Sequence, residues 1–225
     1  AAAPGGVPGR GFTLCELLGV QLRGVVGACA SSLGLTAVLF VGPLAQHWAS
    51  VALGYDRPLS LPGGLWVSLR NYVMAPLTEE FVFRACLVRL WVGASISQRT
   101  VIFLSPLCFA MAHTHHFIEH VRRLHNKQQA LLQVAFQVFY TSLFGMYSNF
   151  LLLRIGSTMA VILTHSFCNH QGFPDVSFVM AGHRLYPHRY KLGAAYLVGI
   201  LAFGWLMMPM TQGFDSSFNS ASRAD

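Results

Sequence analysis

Apolar positions in this chain come in long blocks separated by short polar punctuation. Leu17 to Val41 is apolar apart from Gln21 and Arg23 and closes at Gly42-Pro43. A block of that length suits a membrane-crossing helix, which needs ~20 residues. Residues 54–64 carry the Gly, Pro and Asp of a loop. Leu65 to Val92 predicts a broken helical stretch: Pro76 interrupts it, and Thr78 caps a fresh helix with Glu79 and Glu80 in its first turn. Gly93 to Gln98 is a short connection, Val101 to His113 a short apolar helix, and Thr114 to Lys127 a polar, His-rich loop. Gln128 to Leu153 is a long span with aromatics throughout, and Arg154 to Ser157 a tight turn. Thr158 to Asn169 is a second short helix, Gln171 to Lys191 a basic loop, and Leu192 to Met208 a last span that stops at Pro209. There is no internal repeat. The expected fold class is all-α, a polytopic transmembrane helical bundle of short, broken helices.

Composition strengthens that reading. Of the 225 residues, 54% are hydrophobic and 10% charged, against about 25% charged in soluble domains. Mean hydropathy is +0.50. The net charge is +7, but the cations sit in loops between apolar blocks, which fits membrane topology and argues against a nucleic-acid partner. The five cysteines, Cys15, Cys29, Cys86, Cys108 and Cys168, are odd in number and irregularly spaced. They read as small hydrophobes, not a disulfide framework or zinc knuckle. Ala1 to Gly11 is a Pro/Gly-rich loop without the character of a signal peptide. A chain that opens on Ala1 reads as a fragment or a processed form.

Counting helices assigns sides. Loops 114–127 and 171–191 fall on one side, with Arg122, Arg123, Lys127, Arg184, Arg189 and Lys191; the turns with Arg99 and Arg154 fall on the other. Positive residues favour the cytosol, so the first side is expected to be cytosolic. The same count brings Glu79, His113, His165 and Asn169 towards one side of the bilayer.

Ionisable groups inside apolar segments are expensive, ~2.5–3.5 kcal/mol each at the helix centre, and therefore candidate functional groups. Glu80 and Arg84 stand four apart with the acid first, the favourable order for an intrahelical pair. Glu79 points about 100° away, in line with Phe83, with no intrahelical cation. It is the better candidate for a free general base; the plainer alternative is a charge favoured by a helix start. Phe109 and His113 share a face, so the ring can wall a pocket into which the imidazole looks, although a lone histidine at a helix end is often structural. His165 and Asn169 share another face and offer two donors suited to an oxyanion. Three such pairs converging at one level mean more than any one of them.

One rival pattern lies in the polar loop. His116, Glu119 and His120 match H-x-x-E-H, and histidines four apart can share a metal. The match is weakly specific, because His115 and His125 show the stretch to be His-rich throughout. A solvated or interfacial loop is the alternative.

Ala75-Pro-Leu-Thr-Glu79-Glu80-Phe-Val-Phe-Arg84, Phe109-Ala-Met-Ala-His113 and His165-Ser-Phe-Cys-Asn169 reproduce EExxxR, FxxxH and HxxxN in order. In these motifs the chain resembles the type II CAAX prenyl endopeptidases, of the wider CAAX-protease and bacteriocin-processing superfamily. The stretch from His165 to Pro174 resembles the eukaryotic branch more than the bacterial one. The resemblance covers about residues 70–175. It implies a multi-pass enzyme of the endoplasmic-reticulum membrane, its recessed active site open to the cytosol, that removes the last three residues of farnesylated or geranylgeranylated CAAX proteins, typically Ras-type GTPases. It implies no metal and no cofactor. Glu79 is then the general base and His113 helps hold the water. His165 and Asn169 stabilise the oxyanion, and Glu80, Arg84 and Phe109 orient the site. Family members usually have about eight spans. The expected organisation is thus a single transmembrane protease domain over residues 1–213, lacking N-terminal helices, and a disordered tail over 214–225.

Overall fold

The computed structural model describes residues 13–20, 24–57, 63–112, 126–214 and 216–220, with the backbone alone at 219–220. Among them every regular element is helical. Helix α1 (Leu14–Leu17) is one turn held by a capping box, in which Glu16 accepts from the Thr13 N–H at 2.8 Å. The apolar block expected to run unbroken from Leu17 is interrupted. Gly19 and Gly24 both take left-handed φ values, +69° and +75°, which end a helical run, and α2 (Val25–Leu39) starts afresh after Gly24.

Helix α3 (Val41–Ala52) leaves α2 at a 70° bend. The cause is Pro43. Its ring clashes with the carbonyl four residues back, at Leu39, so α2 stops there, while the first turn of a new helix tolerates proline. Gly42-Pro43 therefore opens a helix as well as closing one. Helix α8 (Arg189–Leu206) crosses at this bend. Glycines permit the close approach: a Cβ at Gly199 would sit 2.9 Å from the Val38 oxygen, and one at Gly42 would run into the Tyr196 ring.

Helix α4 spans 64–93 without a stop, and contains two widened, π-helical stretches, Arg70–Met74 and Phe81–Val88. The expected cap at Thr78 is absent. Its hydroxyl donates back to the Met74 and Ala75 carbonyls, as a mid-helix threonine does. The chain passes Pro76 by widening the turn before it, not by ending. Helices α5 (Gln98–Ala112), α6 (Lys127–Ile155) and α7 (Thr158–Gln171) complete the bundle. Asn126 caps α6 by accepting from Gln128 N and Gln129 N, and only Gly156 and Ser157 separate α6 from α7.

Helix α5 packs along α6; α7 sits between α2 and α4. Three consecutive residues of α6, Leu151, Leu152 and Leu153, are fully buried against Ala28 and Leu35 of α2, Val88 and Val92 of α4, Val101 of α5, and Ala160 and Val161 of α7. Burial on successive positions means that this half of α6 is enclosed on all sides. Its other half exposes Leu131, Leu132, Phe139 and Leu143, and α8 exposes Leu197, Leu201 and Trp205. Contiguous apolar surface on this scale suits lipid, not water, and the molecule is an all-α polytopic membrane bundle. Helix α6, at 29 residues, is long and apolar enough to cross a membrane. Helix α7, with 14 residues, reaches only ~21 Å at 1.5 Å per residue, short of a ~30 Å hydrocarbon core; the described part of α5 has 15 residues. In the stretch that composition reads as tail, Ser216, Ser217 and Phe218 are buried. Phe218 joins the α6 core, and Ser217 Oγ donates to the Glu16 carbonyl at 2.9 Å. One aromatic among serines is enough to dock that turn.

Candidate active site

Glu79, Glu80 and Arg84 lie where the α-helical turn Ala75–Glu80 gives way to the second widened stretch. Glu80 is 0% exposed and Arg84 1%, with Arg84 Nε 3.0 Å from Glu80 Oε2. The two atoms are close but not aligned for a hydrogen bond, so the contact is an ion pair. Neither Nη atom of Arg84 has a hydrogen-bond partner among the described residues. The guanidinium lies instead over the Phe109 ring at 4.4 Å, with Phe144 at 5.8 Å. Desolvated cation–π contacts contribute ~2 kcal/mol, which offsets part of the cost of burying the cation. Gly145 leaves the room: a Cβ there would lie 2.7 Å from Pro106 Cβ and 3.3 Å from Arg84 Nη2.

Glu80 has a second partner. Its Oε1 is 2.6 Å from Nδ1 of His165 on α7. A carboxylate beside Arg84 only accepts, so Nδ1 carries the hydrogen. Nε2 is left for the other side of the ring, where Glu79 Oε2 lies 3.8 Å away, beyond hydrogen-bond reach. Phe144 packs on the imidazole with ring centres 4.6 Å apart, which holds its plane. Glu79 has a different environment from Glu80. Its side chain is 30% exposed and opens into a cavity of about 680 Å³, inside the ~300–1,000 Å³ range of small-molecule sites. Glu79, His165 and Asn169 supply ionisable and amide groups to that cavity, while Leu39, Phe40, Leu143, Ile200 and Phe203 supply apolar wall. Asn169 spends one amide hydrogen on the Asn71 carbonyl at 2.9 Å and keeps the other.

Of the residues expected from sequence, the fold gathers Glu79, Phe109, His165 and Asn169 around one cavity and seals Glu80 and Arg84 behind them. His113 lies outside the described residues, as do His116, Glu119 and His120. Among the described residues no group of three or more His, Cys, Asp or Glu is arranged to hold a metal ion. Sequence reasoning missed the Glu80–His165 contact, which joins residues 85 apart, and missed Phe144 and Tyr147 as cavity wall. The aromatic run of α6 was the available signal, but nothing in it says which ring faces α7.

Residues 61–170 match the family described as Type II CAAX prenyl endopeptidase Rce1-like. The chain is 38% identical over 217 residues to CAAX prenyl protease 2 of Homo sapiens, an alignment covering 89% of this chain and 63% of that protein. It is 39% identical over 144 residues to CAAX prenyl protease 2 of Arabidopsis thaliana, covering 64% and 44%. It is 34% identical over 171 residues to the probable CAAX prenyl protease 2 of Schizosaccharomyces pombe, covering 74% and 62%. The chain thus spans less than two thirds of the length of these relatives. No solved structure matches it. The matched stretch, residues 61–170, carries Glu79, Glu80, Arg84, Phe109, His165 and Asn169, so the likeness of this chain to the type II CAAX prenyl endopeptidase Rce1-like family runs through the residues of the site.

Proposed function

We propose that this chain carries the active site of a membrane endopeptidase that removes the C-terminal aaX tripeptide from prenylated CAAX proteins. The observation that carries the reading is the contrast between two adjacent carboxylates. Glu80 is sealed in an ion pair, whereas Glu79 opens into an apolar-walled cavity shared with His165 and Asn169. A carboxylate in such a cavity is placed to act as a general base. Glu79 takes a proton from water as the water oxygen attacks the carbonyl carbon of the prenylated cysteine, whose bond to the aaX nitrogen then breaks. The second amide hydrogen of Asn169 and the Nε2 side of His165 meet the oxyanion, His165 donating there only when its ring holds both protons. The proton on Glu79 then passes to the leaving amine. In the resemblance His113 helps to hold the water, and no metal takes part.

The apolar wall of Leu39, Phe40, Leu143, Ile200 and Phe203 suits a farnesyl or geranylgeranyl chain. The short α7 supports a site recessed below the membrane surface. The loop-charge count supports a cavity facing the cytosol, and the family resemblance supports an endoplasmic-reticulum location, with Ras-type GTPases among the clients. The test is tripeptide release by the purified protein from a farnesylated CAAX peptide and its unprenylated twin, each with and without a chelator. The reading expects cleavage of the prenylated peptide alone, unchanged by chelator. Equal cleavage of both peptides, or loss with chelator restored by zinc, contradicts it.

A further inference from the structure

Pro76 has no N–H, and two carbonyls of the preceding turn depend on that nitrogen. In an α-helix carbonyl i accepts from residue i+4, and in a widened turn from residue i+5. The first rule runs from residue 76 to Tyr72, the second from residue 76 to Asn71. The Ala75 N–H, which an α-helix would give to Asn71, bonds instead to the Arg70 carbonyl. The Asn71 oxygen therefore has no backbone donor at either spacing, and the Tyr72 oxygen lacks its α-helical one.

Helix α7 takes both carbonyls. Asn169 Nδ2 donates to the Asn71 oxygen at 2.9 Å, and Ser166 Oγ donates to the Tyr72 oxygen. Ser166 and Asn169 stand three apart and share a face of α7. The Tyr72 ring also meets the His170 ring edge-on at 5.4 Å. One turn beyond Pro76, Glu80 holds His165. Helix α7 is thus registered on α4 at Asn71, Tyr72 and Glu80, and the first two points exist because residue 76 is a proline.

We propose that Pro76 and Ser166 are positioning residues of the active site. Pro76 keeps two carbonyls of α4 open, and Ser166 occupies one of them to fix the height and rotation of α7. Asn169 is thereby aimed at the cavity with its second amide hydrogen, and His165 with its Nε2 side. The inference rests on the peptidase reading for its kinetic arm only.

The experiment is a mutant cycle in the full chain, reading tripeptide release and thermal unfolding for Ser166→Ala, Ser166→Thr, Pro76→Ala and the Pro76→Ala/Ser166→Ala double variant. Ser166→Ala is expected to lower kcat roughly 10-fold or more, since small misplacements at a reacting centre cost up to ~10²-fold. KM stays within about twofold, because the lost aim acts on the transition state. Ser166→Thr keeps the hydroxyl and restores most of kcat. Losing the bond to Tyr72 lowers Tm by about 2–4 °C. In the double variant the N–H restored at position 76 serves that carbonyl, so Tm recovers while kcat stays low. Wild-type-like kcat in Ser166→Ala and Pro76→Ala, or recovery of kcat together with Tm, overturns the proposal. Wild-type protein that releases no tripeptide sinks the peptidase reading alone. The thermal arm still reads the carbonyl exchange, and additive Tm changes overturn the inference there.

Discussion

On the side of α4 that faces α5, α6 and α7, Glu80 and Arg84 are 0% and 1% exposed and are held by each other, by His165 and by the Phe109 ring. On the cavity side, one residue away, Glu79 is 30% exposed and shares open volume with His165 and Asn169. The helix periodicity separates the two acids by about 100°, and that rotation divides the work. A sealed charge contributes to holding helices in place, because removing its partner strands it in a medium that cannot solvate it. An accessible charge can exchange a proton with a bound water. The contrast is between a joint and a tool built from the same side chain.

The largest expected effect comes from breaking the joint. Arg84→Met leaves the Glu80 charge buried without its cation, and such a change costs about 3–5 kcal/mol. Thermal unfolding in detergent is expected to show a large Tm drop, with activity lost alongside the fold. Adding Glu80→Leu to Arg84→Met is expected to return part of the stability, since an apolar pair can replace a buried ion pair at little cost. It should return no activity, because His165 has then lost the acceptor of its Nδ1. An Arg84→Met protein as stable as wild type would mean that the pair is not the joint described.

A smaller effect, falling mainly on rate, is expected on the open side. Asn169→Ala removes one of the proposed oxyanion donors, and losses of that kind run to ~10²–10³-fold in kcat. Tm should fall by no more than about 2–4 °C, the effect of losing the bond to the Asn71 carbonyl at an otherwise exposed side chain. A fall in Tm matching the fall in kcat would shift Asn169 from the open side to the sealed one.

Much of this arrangement is legible in the sequence. The four-residue spacing of Glu80 and Arg84 gave the ion pair, and the odd position of Glu79 gave its freedom. The short apolar blocks at Val101 and Thr158 gave two helices, and the start of α5 and both ends of α7 lie within a few residues of those expected. Local reading failed where the decisive partner is distant. Thr78 after a proline looks like a cap, yet Pro76 is accommodated by widening, and α7 then uses the carbonyls left open. The block from Leu17 looks continuous because its interruption is made by two glycine φ angles, not by polar residues. The link from Glu80 to His165 crosses 85 positions, and no helical period reaches that far.

On the proposed reading the open acid, Glu79, does the chemistry. Glu79→Gln keeps the size and neutral hydrogen bonding of the side chain but removes its basicity. Tripeptide release from a farnesylated CAAX peptide should fall by ~10²–10⁴-fold, the range for loss of a general base, while Tm stays within about 2 °C of wild type, the change that accompanies about 1 kcal/mol or less in a chain of this size. Turnover that survives Glu79→Gln would contradict the account.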